Sequence, residues 1–301
     1  MTGATGLVGG RLLPALARRG ARVRALSRDP AGAAGRLGDG VQALGWDGTL
    51  VPQEALRGSG AVVHLAGEPI FGGLPSAARR RRIHASRVRS TESLAAAIAG
   101  LPAAERPRVL VCASAVGWYG GDHGERELDE SEPPGAGFLA GLCRDWEEAA
   151  ARAERHGVRV VRLRFGVILA REGGALSLML RPFRLGLGGP LGSGRQWMPW
   201  VHVDDVVGLI LLGLDADRAS GPLNAVAPEP VRNAEFTRRL AAKLRRPALL
   251  PLPAFVLRAA LGEIAGELLD SRRVVPRRAR ELGYEFAHPT LDSALEAELV
   301  G

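Results

Sequence analysis

Three glycines at a spacing of three, Gly3, Gly6 and Gly9, open the chain in the string MTGATGLVG, and Leu7, Val8 and Leu12 follow as the start of a helix. A turn this poor in side chains, running straight into a helix, brings backbone N–H groups and a helix N-terminus to one point. That suits a pyrophosphate, and glycine is needed where a side chain would block the phosphates or the helix–strand contact. The pattern predicts the nucleotide turn of a doubly wound α/β fold. Such a turn follows a central strand, yet only Met1 and Thr2 precede Gly3. The expectation is a first strand cut short, with the natural chain starting several residues upstream of Thr2.

The pattern beyond the turn alternates. A helix over 8–19 ends at Gly20. Strands are predicted at 23–26, 41–46, 61–67, 108–115 and 158–169, with helices from about Pro75 to Ala99 and over 137–156 between them. Near-continuous apolar strands separated by helices imply a parallel sheet covered on both faces. After residue 170 the chain becomes glycine- and turn-rich, then a capped helix begins at HVDD (202–205), and from Asn233 onward the pattern is mainly helical. The predicted division is a nucleotide-binding domain of residues 1–169 and 200–225, with a smaller, mostly helical substrate lobe of 170–199 and 226–301. The cleft lies between them at the carboxyl ends of the strands.

Composition narrows the classes. The net charge of +8 invites a nucleic-acid partner, but Lys243 is the only lysine, and arginine with abundant alanine and glycine reads as a genome-wide bias. The densest basic run, Arg79 to Arg82, reads as a solvated helix turn. No basic stretch is interleaved with aromatics, and no run has metal-ligand spacing, so neither nucleic acid nor a metal is expected. No stretch approaches the roughly 18–20 apolar residues that span a bilayer, and no secretory signal is visible. Cys112 and Cys143 read as buried thiols of a cytoplasmic protein.

Several residues could carry chemistry. Ser27 and Arg28 follow the second predicted strand, where an acidic side chain would bind the ribose of NAD. A serine and an arginine there suit a 2′-phosphate, with a merely exposed arginine as the alternative and Asp29 close by. His64 reads as a packed core histidine. Leu65, Ala66 and Gly67 let the backbone approach a cofactor, and Glu68 stands at the cleft mouth as a base or a surface cap. Ser114 ends a strand, with Tyr119 five residues on. A serine that orients a substrate oxygen and a tyrosine that passes a proton are what carbonyl–alcohol redox chemistry uses, a packing aromatic being the other reading of Tyr119. Arg195, Gln196 and Trp197 form a candidate substrate wall, while His202 and Asp204 read as a helix cap.

Taken together, TGATGLVG, HLAG, SAVGWYG and WVHVDD resemble the extended branch of the short-chain dehydrogenase/reductase superfamily, of the NAD-dependent epimerase/dehydratase type. AGEPI, SRVRST, FLAGLCRDWE, the long segment 182–205, GPLNAVAP and the run 250–276 are similar to a subgroup of sugar-nucleotide epimerase-like oxidoreductases. The resemblance implies a Rossmann-type fold with NADP(H), NAD(H) being disfavoured. It places Gly3, Thr5, Gly6, Leu7, Val8, Ser27, Arg28, Leu65 and Ala66 at the cofactor, and Ser114 near the nicotinamide. Members of the superfamily carry Tyr-x-x-x-Lys on the helix after the serine strand, but Phe138 and Leu142 align there. The implied function is an NADP(H)-dependent oxidoreductase or epimerase-like enzyme acting on a small polar or sugar-like substrate. The alternative is an NADP(H)-binding sensor or scaffold without turnover. A homodimer is left open.

Overall fold

The computed structural model describes residues 1–38, 40–71, 73 and 76–299. The glycine turn runs into α1 (Leu7–Arg18). Strands and helices then alternate through β1 (Val23–Ser27), α2 (Pro30–Leu37), β2 (Val41–Gly45), β3 (Ala61–His64), α3 (Ala77–His84), α4 (Ser90–Ala99), β4 (Val109–Ala115), a short β5 (Glu127–Leu128), α5 (Phe138–Ala151) and β6 (Arg159–Phe165). Next come β7 (Val167–Ala170), α6 (Gly174–Arg184), β8 (Trp197–Met198), β9 (Trp200–His202), α7 (Val203–Asp215) and β10 (Gly221–Ala225). The chain ends with β11 (Val231–Arg232), α8 (Asn233–Leu244), α9 (Ala254–Leu261), α10 (Gly266–Leu269), β12 (Arg273–Val274), α11 (Arg277–Glu281) and α12 (Leu291–Leu299).

Strands β10, β6, β4 and β3 lie side by side, all parallel, and β1 pairs in parallel with β2. Thr2 joins the two groups by parallel bridges to Leu26 and His64. Its N–H donates to the Val63 carbonyl at 2.9 Å, and the Met1 carbonyl accepts from Leu26 N–H at 2.8 Å. Two residues thus stand where the sequence calls for a central strand. The order β2-β1-Thr2-β3-β4-β6-β10 reverses direction beside the glycine turn, the switch point at which doubly wound sheets bind ligands.

Alternation along the strands builds two cores. Val109 and Val111 of β4 pack in one cluster with Leu12 of α1 and Ile210 of α7. Leu110 and Cys112 pack in the other, with Leu94 and Ile98 of α4 and Trp146 of α5. Successive side chains of a strand face opposite sides, so a strand buried on both faces must be apolar throughout, each full burial contributing about 1.5–3 kcal/mol. A third cluster joins Leu176 and Phe183 of α6 to Phe236 and Leu240 of α8 and Leu295 of α12. Ala279 belongs to the second core, so this part of the carboxyl-terminal segment packs on the sheet.

Three local differences from the sequence reading have physical causes. The strand expected over 158–169 is two, because a Cβ on Gly166 would lie 2.8 Å from the Pro199 carbonyl oxygen. The chain there passes tightly against Pro199, and β7 leaves the main sheet to pair with β9. The helix expected from Pro75 to Ala99 runs as α3 and α4 joined by a π-helical stretch, Ala85–Arg89, and Pro75 itself lies outside the described residues. Arg79 is not solvated: it is buried, and its Nη2 donates to the Pro69 and Ile70 carbonyls at 3.0 Å.

Candidate functional site

The amino-terminal turn is shaped by close approach. Gly3 sits at φ +67°, and a Cβ there would lie 2.8 Å from the Leu65 carbonyl carbon and oxygen; one on Gly9 would lie 2.2 Å from the Gly3 carbonyl. Only glycine brings the turn, α1 and the exit of β3 this near one another. Gly6 caps α1 with no side-chain hydrogen bond, and the first turn of α1 holds no acidic residue. The leading N–H groups of α1 therefore remain available, and the helix dipole favours an anion beside them. Thr5 and Gly6 are exposed, and Leu7 and Val8 are half-buried. The cradle fits a pyrophosphate.

At the end of β1 the carboxylate that would compete for a ribose is turned away. Asp29 Oδ1 accepts from Gly32 N–H at 2.9 Å and so caps α2. Ser27 Oγ donates to the Asp29 carbonyl at 3.0 Å. Arg28 is exposed and makes no ion pair among the described residues. Arg36, which the sequence reading missed, reaches the turn from the last turn of α2 and donates to the Thr5 carbonyl at 3.4 Å.

The exit of β3 is held by Thr2. Its Oγ1 accepts from the N–H groups of Leu65 and Ala66, each at 3.1 Å, and lies 2.8 Å from His64 Nδ1. A hydroxyl that accepts two N–H bonds donates its own proton, which assigns the lone pair of His64 to Nδ1. His64 is fully buried, and burial lowers its pKa to about 4. Gly67 is exposed, and beneath it lies the buried Arg87 from the π-helical stretch. A Cβ on Gly67 would be 3.2 Å from Arg87 Cζ. Burial lowers the Arg87 pKa, and no carboxylate is within ion-pairing distance among the described residues. Glu68 is half-buried, 3.5 Å from Arg82 Nε.

The end of β4 departs from the sequence reading. Ser114 is buried and its Oγ donates to Glu147 Oε1 at 2.8 Å. Glu147 and Arg164, on α5 and β6, form a buried two-bond pair at 2.8 and 3.0 Å. Arg164 also donates to Tyr119 Oη at 3.2 Å and stacks 3.9 Å above the Trp118 ring. Tyr119 is 1% exposed, and its hydroxyl lies 2.7 Å from Asn224 Oδ1 and 2.9 Å from the Asp129 carbonyl. Burial pushes the Tyr119 phenol well above the ordinary range. The sequence reading set Ser114 and Tyr119 in the cleft; the structure holds both in a buried hydrogen-bond network. The next residue along β4, Ala115, has no hydroxyl to offer instead. Phe138, where the superfamily tyrosine aligns, packs partly buried on the first core, which holds Leu142.

The proposed substrate wall is also revised. Gln196 is buried and donates to the Leu191 and Leu268 carbonyls at 3.0 and 2.9 Å, so it fastens this loop to α10. The guanidinium groups of Arg232 and Arg273 stand 4.6 and 5.1 Å from the Trp197 ring centre, and the indole N–H donates to Glu125 at 3.1 Å. Arg195 is exposed. The turn after β4 is instead covered by α10: a Cβ on Gly117 would be 3.1 Å from Glu267 Oε1, and the buried Arg272 donates to Glu267 at 2.9 Å and to the Val116 carbonyl at 3.3 Å. His202 caps α7 as expected, accepting from Asp204 N–H at 3.2 Å. Cys112 and Cys143 are buried and free, and burial pushes both thiols up to about 12. No helix of the described residues is long and apolar enough to cross a membrane.

A parallel sheet that reverses at an uncapped glycine turn defines a Rossmann-type, doubly wound α/β protein. The family model of NAD dependent epimerase/dehydratase proteins matches residues 1–226, and a domain of unknown function matches residues 252–298. The chain belongs to the NAD dependent epimerase/dehydratase family, as its motifs implied. It is 41% identical over 302 residues to the epimerase family protein SDR39U1 homolog, chloroplastic, of Arabidopsis thaliana, spanning 99% of this chain and 85% of the relative. The Homo sapiens epimerase family protein SDR39U1 is 38% identical over 298 residues, spanning 98% and 97%. The crystal structure of human SDR39U1 (isoform2) with NADPH superposes with a TM-score of 0.89 at 36% identity, covering 100% of this chain and 98% of that one. MoeE5 in complex with UDP-glucuronic acid and NAD superposes with a TM-score of 0.79 at 25% identity, covering 99% and 96%.

Proposed function

We propose that this chain is an NADP(H)-dependent oxidoreductase or epimerase-like enzyme that transfers hydride to or from a small polar or sugar-like substrate. The observation that carries the reading is at the end of β1, where Asp29 is withdrawn as a helix cap and Arg28 is exposed, with no ion pair among the described residues, beside an open phosphate cradle. A guanidinium can bind a 2′-phosphate through charge-assisted bonds, and an ionised carboxylate would repel it. The likeness to human SDR39U1, whose structure was determined with NADPH, supports the same cofactor. Gly3, Thr5, Gly6, Leu7 and Val8 would hold the pyrophosphate, Ser27 and Arg28 the adenosine phosphate, and Leu65, Ala66 and Gly67 the approach to the nicotinamide. When bound, the cofactor supplies the hydride.

Of the proposed proton-handling groups, Glu68 is the one with a partly exposed side chain, which supports its role as the base. Arg87 beneath Gly67, with no ion-pair partner among the described residues, suits a substrate that carries an anionic group. Replacing Arg28 by alanine should weaken NADPH binding by tenfold or more, the loss of about 1.5–3 kcal/mol for bonds to a charged group, and leave NADH binding unchanged. Equal losses for both coenzymes would refute the assignment.

A second reading, an NADP(H)-binding sensor or scaffold without turnover, is favoured by the spent Tyr119 and by Phe138 and Leu142 in place of the proton-transfer pair. It predicts coenzyme binding without NADPH oxidation by any member of a carbonyl panel. Turnover that Glu68→Gln abolishes would exclude it.

A further inference from the structure

Two segments far apart in sequence meet at the start of α7. His202 and Asp204 open that helix, and His288 lies just before α12. His202 Nδ1 is 3.7 Å from Asp204 Oδ2, and His288 Nε2 is 3.9 Å from the same oxygen. The two imidazole centroids are 3.8 Å apart, and one ligand atom from each of the three residues lies within 4.8 Å of the others. Tetrahedral zinc, with bonds of about 2.0–2.1 Å, sets its donors about 3.4 Å apart. Closing around such an ion therefore needs contraction of roughly half an ångström at the nearer pairs. The two ligands that must turn, Asp204 and His288, are the accessible ones, at 50% and 18% side-chain exposure.

The surroundings are arranged as they are around a metal-binding histidine. His202 Nε2 lies 2.9 Å from Glu298 Oε1, while Nδ1 accepts the Asp204 N–H. The proton is thus on Nε2, and Nδ1, which takes the Asp204 N–H, lies 3.7 Å from Asp204 Oδ2. A carboxylate on the far nitrogen is the outer-shell partner that fixes a ligating imidazole. Ion binding at Nδ1 would release the Asp204 N–H, which as a first-turn amide can pass to water. The His288 segment is itself held in place. Buried Asp205 accepts from Ala287 N–H at 2.7 Å, His288 N–H at 3.0 Å and Tyr284 Oη–H at 3.1 Å. Charge also favours a cation. Glu172, Asp204 and Glu298 gather around one guanidinium, Arg11, at 2.5, 3.8 and 3.8 Å, which leaves negative charge in excess.

We propose that His202, Asp204 and His288 form a site for a divalent transition metal of the zinc class. The ion fastens the segment before α12 to the first turn of α7, with its fourth position open to solvent. Spacing could not reveal the site, because its third ligand comes from another part of the chain.

The test uses the full chain, stripped with a chelator and titrated with Co²⁺ followed by Zn²⁺. The expected result is saturation at one equivalent with the visible absorption of tetrahedral cobalt, its displacement by zinc, and a rise in melting temperature. His288→Ala removes that spectrum, and Glu298→Gln weakens binding about ten- to hundredfold. Asp204→Asn, at an exposed carboxylate, gives the same loss should His288→Ala fail to fold, near-ultraviolet circular dichroism reporting the fold in each case. Absence of a saturable one-equivalent cobalt spectrum in the unmodified chain overturns the proposal, as does a spectrum unchanged in folded His288→Ala or Asp204→Asn.

Discussion

Among the described residues, the glycine turn presents backbone amides with no side-chain cap at Gly6, and nearby Arg28 has no counter-ion. At the end of β4 the polar groups are side chains, and each is spent on another: Ser114 on Glu147, Glu147 on Arg164, Arg164 on Tyr119, and Tyr119 on Asn224. The first region is built to be completed by something else. In the second, each of these side chains already has a hydrogen-bond partner. The contrast separates a region open to a ligand from one whose polar groups are already satisfied. The architecture that accepts a dinucleotide can persist where the aligned positions of the superfamily's proton-transfer pair are apolar, here Phe138 and Leu142.

The largest expected effect breaks the closed region. Glu147→Ala leaves Arg164 buried without its counter-charge and should cost about 3–5 kcal/mol in chemical denaturation, whereas Arg28→Ala should change stability by no more than about 0.5 kcal/mol. Comparable losses in both variants would erase the distinction between the regions. Next is acid sensitivity beside the turn. His64 is neutral when folded, with its pKa lowered to about 4, and near 6.5 when unfolded. The unfolded chain therefore binds the extra proton. Stability from this residue is fully present above about pH 6.5 and falls as the pH drops toward 4, by about 2 kcal/mol at pH 5. Denaturation curves at pH 7 and pH 5 measure it, and a flat profile would remove His64 from the account. Smallest is Tyr119→Phe, which should cost about 1 kcal/mol for a buried hydrogen bond while leaving NADPH affinity and any turnover intact. Lost turnover with unchanged coenzyme affinity would return Tyr119 to the chemistry.

Much of the fold was legible because it rests on local patterns. Glycine spacing announced the turn at residues 3–9, and apolar runs marked β3, β4 and β6, buried on both faces of the sheet. What was not legible depends on direction and distance. Asp29 and Arg28 are neighbours in sequence, and only the start of α2 decides that the carboxylate turns back as a cap. Ser114 resembles a catalytic serine in a string, but its partner Glu147 lies on another element. Gln196 and Trp197 looked like a substrate wall because glycine-rich loops often line clefts, yet the carbonyls of Leu191 and Leu268 occupy the Gln196 amide. Thr2 opens the TGATGLVG string, but the string does not say what Thr2 holds. Its contribution, holding the exits of β1 and β3 together, exists only once the sheet has formed.

Hydrogen exchange with and without NADPH tests the contrast most directly, because it reads the backbone of both regions in one experiment. The account predicts strong added protection over residues 5–10 and at 27–29, where amides and arginine await a phosphate, with no change over 114–119. Protection appearing at 114–119 while residues 5–10 stay unaltered would contradict it.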